Sequence, residues 1–128
     1  MSIRRKVVAI LDDDRSIRDG VATLVAALGY RTEVYSSGEE FIDAAIKSEA
    51  GCLLVDIQLG DLSGVELVRH LLAMGFTFPV IFMTGSQDEL VRKQATELGC
   101  VAYLLKPLPR NQLVDAITEA IGTAGGNV

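Results

Sequence analysis

Residues 7–14 read Val7-Val8-Ala9-Ile10-Leu11-Asp12-Asp13-Asp14, five apolar residues that stop abruptly at three acids. Three later runs have the same form. Cys52 to Val55 ends on Asp56, Val80 to Met83 ends on Thr84, and Val101 to Leu105 ends on Lys106. Each run is short and mostly β-branched or large, and its apolar character is continuous rather than alternating. That suits strands of a parallel sheet covered on both faces. In an open parallel sheet the carboxyl ends of the strands line one rim, where ligands bind. The pattern therefore gathers carboxylates, a hydroxyl and an amine in one crevice. A fifth run, Arg31 to Tyr35, is polar and alternating, as an edge strand is.

Helical patterns fill the gaps. Ile17, Val21, Leu24, Val25 and Leu28 make one buried stripe, and Leu113, Ala116, Ile117, Ala120 and Ile121 make another. Ser37/Glu40, Ser63/Glu66 and Ser86/Glu89 each have the spacing of a capping box. Pro109 fits the first turn of the last helix, and Gly29, Gly75 and Gly99 fit left-handed caps at helix ends. Strand and helix thus alternate five times, which predicts a three-layer α/β sandwich: a (βα)5, doubly wound parallel sheet. The 128 residues suit one domain, expected over 6–121, with a solvated tail at 1–5 and a Gly-rich flexible tail or linker start at 122–128.

A net charge of −5 argues against nucleic-acid binding by this segment and against attraction to an anionic membrane. Arg4-Arg5-Lys6 precedes too few apolar residues for a signal peptide or a membrane span. Cys52 and Cys100 have no paired spacing and read as buried free thiols in a reducing, cytoplasmic setting. His70 falls on a polar helix face with no ligand-spaced partner, and Met74 and Met83 read as packing residues.

Taken singly, an aspartate ending a strand is a turn former, a threonine there is a strand-end hydroxyl, and a lysine is solvated. Placed together, they make a phosphoryl-transfer set. Asp56 is the expected nucleophile, since a carboxylate can attack phosphorus and become an acyl phosphate. Two unit charges about 4 Å apart repel by about 4 kcal/mol at an effective dielectric near 20, so the site must supply positive charge. Asp12, Asp13 and Asp56 carry three negative charges and Lys106 returns one positive. Mg²⁺ (or Mn²⁺), which favours carboxylate, water and phosphate oxygens, would complete the balance. Lys106 offers a compact charge for the phosphate, and Thr84 a hydrogen-bond donor.

Asp12-Asp13, Asp56, Thr84 and Lys106-Pro107, in this order and near these spacings, resemble the receiver domain of bacterial two-component response regulators. Asp61-Leu62-Ser63-Gly64, Met83-Thr84-Gly85 and Tyr103-Leu104-Leu105-Lys106-Pro107 add to the likeness, and Ser63 to Leu67 with Thr84-Gly85-Ser86 resemble the FixJ type. The resemblance covers roughly residues 6 to 121. It implies a flavodoxin-like sheet of order 2-1-3-4-5 and a phosphoacceptor, Asp56, served by a sensor histidine kinase or phosphotransfer protein. It also implies that Asp13 ligates the metal directly and Asp12 largely through water, with the backbone carbonyl of Gln58 as a further ligand. Thr84 and Tyr103 become switch residues, and Lys106 and Pro107 share a cis peptide bond. The switched surface is helix 4, strand 5 and helix 5, where Glu89, Arg92 and Lys93 face a homodimer partner or an output domain. Such a chain is a signalling switch that catalyses its own phosphorylation and slow dephosphorylation, not a metabolic enzyme.

Three positions depart from the family pattern. Gly60 stands where proline is frequent and is expected to loosen its loop. Leu108 replaces a frequent aromatic. Asp14 adds a third acid, either as a cap of helix 1 or as a further attraction for metal. Side chains at positions 58 and 86 tune acyl-phosphate lifetime in this family, here Gln58 and Ser86. Two other readings compete. Residues 9–16 loosely resemble the opening of haloacid-dehalogenase-type phosphohydrolases, with Asp12 as nucleophile and Asp14 as acid-base. The chain could also be a receiver-shaped binding module that signals without phosphate.

Overall fold

The computed structural model describes residues 6–122. Val7 to Leu11 form strand β1, which has a neighbour on each side. It pairs in parallel with β2 (Arg31–Tyr35), Val7 opposite Arg31 and Leu11 opposite Tyr35. On its other side lies β3 (Cys52–Asp56), with Leu11 opposite Val55. The residues that follow this last pair are Asp12 and Asp56, so the register itself sets the two acids side by side. Outward from β3 come β4 (Val80–Thr84), with Asp56 opposite Met83, and β5 (Ala102–Leu105), with Thr84 opposite Leu105. The sheet order is β2-β1-β3-β4-β5, as the resemblance implied.

The helices are α1 (Arg15–Ala27), α2 (Gly38–Ala44), α3 (Gly64–Ala73), α4 (Glu89–Glu97) and α5 (Arg110–Ile121). Successive strand residues point to opposite faces of a sheet, so the core divides in two. Val8, Ile10, Leu54, Ile81 and Met83 pack with Val21 and Val25 of α1 and with Leu113 and Ile117 of α5. Ala9, Leu11, Leu53, Val55 and Phe82 pack with Phe41, Leu67, Val68 and Ala95 of α2, α3 and α4. β1, β3 and β4 are buried throughout, and β2 is half-exposed as an edge. β5 departs from the expectation of two covered faces. It is the opposite edge, and Leu105 remains exposed. No helix among the described residues is long and apolar enough to cross a membrane.

The helix ends follow the predicted chemistry with corrections. Gly29, Gly75 and Gly99 all take positive φ just past α1, α3 and α4. Ser63 and Glu66 form a full capping box. Ser37 caps α2, but the Glu40 carboxylate accepts from Ser36 N–H rather than from Ser37. Ser86 is no cap at all. Asp88 starts α4 by accepting from Leu90 and Val91 N–H, and its carboxylate outcompetes a serine two residues upstream. Pro109 occupies the N-cap position, one residue before α5 rather than inside its first turn. Asp14 caps α1 by accepting from Ile17 N–H. Cys52 is buried and free, with its thiol pushed up to about 12 by burial, whereas Cys100 is free but only half-buried. The expected tails 1–5 and 123–128 lie outside the described residues. Gly122 ends α5, and its carbonyl accepts from the Tyr30 hydroxyl.

Two glycines test this packing in opposite directions. A methyl group at Gly64 would sit 2.6 Å from the Asp56 backbone oxygen, so Gly64→Ala should destabilise by about 1–3 kcal/mol. Gly20 lies inside α1 with open space around it, so Gly20→Ala should stabilise by about 0.5–1 kcal/mol. Urea unfolding midpoints check both, and equal signs would contradict the close approach of α3 to β3.

Candidate functional site

The rim is built by the ends of β1, β3, β4 and β5. After Leu11 the chain turns into Asp12, which is fully buried, and Asp12 Oδ1 accepts the Asp14 N–H at 2.9 Å. β3 ends on Asp56, only 6% exposed, and its Oδ1 accepts the Gln58 N–H at 3.0 Å. From β5, whose ladder continues through Lys106 N–H to the Thr84 carbonyl at 2.7 Å, the Lys106 side chain reaches back across the sheet. Its Nζ donates to Asp12 Oδ2 at 2.8 Å and to Asp56 Oδ2 at 2.9 Å. One ammonium thus bridges two carboxylates from neighbouring strands. The Lys106-Pro107 peptide bond is cis.

Asp13 is exposed, and one carboxylate oxygen from each of Asp12, Asp13 and Asp56 can be chosen so that all three lie within 4.8 Å of one another. Hard oxygens at this spacing are the donors a Mg²⁺-sized ion takes, so the acids fit such a metal. They line an open cleft of about 370 Å³ together with Asp14, Gln58, Gly60 and Lys106. Burial pushes the Asp56 carboxyl above the ordinary aspartate range. The Gln58 N–H and Lys106 oppose the shift, and the Asp12 charge adds to it. Burial acts to lower Lys106, but its bonds to Asp12 and Asp56 prevail and carry it above its ordinary value.

Thr84 ends β4 and is buried. Its Oγ1 accepts the Ser86 N–H at 3.1 Å and lies 3.4 Å from the Ser86 carbonyl. Ser86, expected to start a helix, instead ties this hydroxyl down. Tyr103 packs against the α2, α3 and α4 side of the core, with the Arg92 guanidinium 5.9 Å from the centre of its ring. Its hydroxyl is the buried side-chain polar atom that finds no partner among the described residues. The structure therefore brings Asp12, Asp13, Asp56, Gln58 and Lys106 together and holds Thr84 and Tyr103 beyond the cleft lining.

Sequence reasoning missed Arg18 and gave Asp61 no role beyond its place in the family likeness. Arg18, one turn into α1, donates from Nη1 to the Asp12 carbonyl at 2.9 Å and steadies the acidic turn from behind. The available signal was a cation six residues after Asp12 on a helix that begins at an acidic rim. Asp61 accepts N–H bonds from Gly38 at 3.2 Å, Glu39 at 3.0 Å and Leu62 at 2.8 Å. Desolvation pushes its carboxyl up, but those bonds together prevail and hold it below the ordinary range. The link from residue 61 to residue 38 leaves no local trace in the sequence. Asp12, the nucleophile of the phosphohydrolase reading, has no exposed surface and both oxygens engaged.

Comparison with known proteins adds family evidence. The model for the response regulator receiver domain matches residues 8–118. The response regulator protein TodT of Pseudomonas putida is 33% identical over 124 residues, which is 97% of this chain and 55% of that protein. The transcriptional regulatory protein FixJ of Azorhizobium caulinodans is 31% identical over 90% of this chain and 54% of its own length. This chain thus spans about half the length of the curated relatives it matches. Among solved structures, a response regulator receiver protein from Burkholderia phymatum superposes with a TM-score of 0.79 at 31% identity, covering 94% of this chain and 98% of that one.

The raised Asp56 carboxyl has a measurable consequence. A group whose folded-state value lies above its unfolded one stabilises fully below the unfolded value, near 3.8 here, and loses that contribution as pH rises through the folded value. Ionised Asp56 is therefore a cost at neutral pH. Asp56→Asn should raise the unfolding midpoint of the metal-free protein at pH 7 by a few degrees, and the gain should narrow as pH falls toward the ordinary aspartate range. A lowered midpoint at pH 7 would contradict this.

Proposed function

The chain belongs to the response regulator receiver family, and from that premise we propose that Asp56 is its phosphoacceptor, loaded by the phosphohistidine of a sensor histidine kinase or phosphotransfer protein. The observation that supports this is the junction of Asp12, Asp56 and Lys106 at one rim, with Asp13 beside them. An Asp56 carboxylate oxygen attacks phosphorus in line. The O–P bond forms as the P–N bond to imidazole breaks, and the imidazole leaves with a proton taken from solvent. Lys106, within hydrogen-bond distance of Asp56 Oδ2, is placed to meet a phosphoryl oxygen attached there. In this reading Asp13, Asp12 in part through water, Asp56 and the Gln58 carbonyl are the groups that hold Mg²⁺ or Mn²⁺. A divalent ion bound there supplies the positive charge that lets two anions approach.

The phosphorylated chain then acts as a two-state switch biased by contacts that only the phosphate offers. Thr84 exchanges its hold on Ser86 for a phosphoryl oxygen, and Tyr103 follows. The output face is α4, β5 and α5, where Leu90 and Leu105 are exposed beside Glu89, Arg92 and Lys93. Exposed apolar groups ringed by charge suit a homodimer partner or an output domain. The place of action in this reading is the cytoplasm, and the likeness to FixJ, a transcriptional regulatory protein, points to control of transcription as the output.

Incubation with acetyl phosphate and Mg²⁺, followed by intact-mass measurement, tests the assignment. Wild type should gain one phosphoryl group, and both Asp56→Asn and metal-free wild type should gain none. An adduct that survives in Asp56→Asn would move the phosphoacceptor elsewhere. Millimolar Mg²⁺ should also raise the melting temperature of wild type, and Asp13→Ala should abolish most of that rise. An undiminished rise would take the metal away from Asp13.

A further inference from the structure

The segment between β3 and α3, residues 57–63, carries the Gln58 backbone and lies against the acidic turn. Its course depends on Gly60, which takes φ +90°, a conformation closed to proline and strained for other residues. A Cβ at position 60 would lie 3.2 Å from Asp13 Oδ2, so the bare glycine is what lets this carboxylate and the loop approach one another. A glycine also leaves the segment more conformational freedom than any other residue would. Something else must then hold the loop in place.

Asp61, the next residue, does so. Its Oδ2 accepts the Glu39 N–H, and its Oδ1 accepts both the Gly38 N–H and the Leu62 N–H. Gly38 is buried, and a methyl there would meet Leu62 Cδ1 at 3.1 Å, so backbone and side chain close together at this seam. α2 is itself well fastened. Phe41 is fully buried, with its ring edge-on to Tyr35 at 5.0 Å and to Phe78 at 5.4 Å. A chain of contacts thus runs from an aromatic cluster under α2, through two backbone amides, to the loop that touches Asp13 and carries Gln58.

We propose that Asp61 is a positioning residue for the metal site: by clasping the amides of Gly38 and Glu39 it anchors residues 57–63 to α2 and fixes where Asp13 and the Gln58 carbonyl stand. The inference rests on the metal-dependent reading above and extends it to a residue outside the acidic triad. It also makes α2 part of the metal site's mechanical support. Neither the charge of Asp61 nor the family pattern is needed for this, only acceptors in the right place.

Mg²⁺ affinity measured by titration calorimetry, on the same chain, separates the possibilities. Asp61→Ala removes both acceptors and should weaken Mg²⁺ binding roughly tenfold or more, whereas Asp61→Asn, which keeps Oδ1 for Gly38 and Leu62, should lose no more than about threefold. Amide hydrogen exchange at Gly38 and Glu39 should accelerate in the alanine variant without added metal. If the two variants lose affinity equally, Asp61 acts by charge alone and the clasp is wrong. If wild type and Asp61→Ala bind Mg²⁺ alike, the positioning role is wrong while the metal site stands. Absence of Mg²⁺ binding by wild type would instead overturn the functional reading beneath it.

Discussion

One ammonium held between two buried carboxylates is the constraint on which the rest of this structure depends. Lys106 Nζ lies 2.8 Å from Asp12 and 2.9 Å from Asp56, so the ends of β1, β3 and β5 must converge on one point. Removing such groups from water costs several kcal/mol per ion, and apolar residues of similar volume commonly serve stability as well or better. The cluster is therefore poor evidence for stability and good evidence for use. It is also unbalanced, because with Asp13 at the mouth three carboxylates face one ammonium. Burial chiefly, with a smaller addition from the Asp12 charge, holds the Asp56 carboxyl above its ordinary range. A site in this condition favours any cation that can enter from the Asp13 side.

Much of this was legible because it follows from short-range patterning. A continuous apolar run such as Leu53 to Val55 fits a strand covered on both faces, and the residue that ends it stands at the carboxyl rim. The polar alternation of Arg31 to Tyr35 marked the edge, and Gly29, Gly75 and Gly99 marked the ends of three helices. The run ending at Leu105 misled, since apolar composition does not distinguish a covered strand from an edge whose other face carries exposed side chains. Ser86 misled for a related reason. Its spacing to Glu89 satisfied a cap pattern, but Asp88 stood closer to the helix start and offered a stronger acceptor, which left Ser86 free to hold Thr84. What remained invisible were side-chain bonds between residues distant in sequence, above all Asp61 to the amides of Gly38 and Glu39.

Gly60 shows how a departure from a pattern can be misjudged from composition alone. A glycine in place of a rigid residue suggests a loose loop, because its unfolded state is freer. The structure puts that glycine at φ +90°, where proline cannot go and other side chains pay strain. At that φ the loop follows a path closed to a proline at position 60, and the Asp61 carboxylate accepts the Gly38 and Glu39 N–H bonds beside it.

In the switch proposed above, the hydrogen bonds at Thr84 and Tyr103 supply a physical reason for a response to phosphate. Thr84 Oγ1 donates only a long bond, 3.4 Å, to the Ser86 carbonyl, while a phosphoryl oxygen on Asp56 would offer a charge-assisted acceptor about twice as strong as a neutral one. Tyr103 presents a buried hydroxyl with no partner, a condition that costs about 1–3 kcal/mol. The nearby Arg92 guanidinium offsets part of that through the ring face, by about 0.5–1 kcal/mol for a contact this exposed.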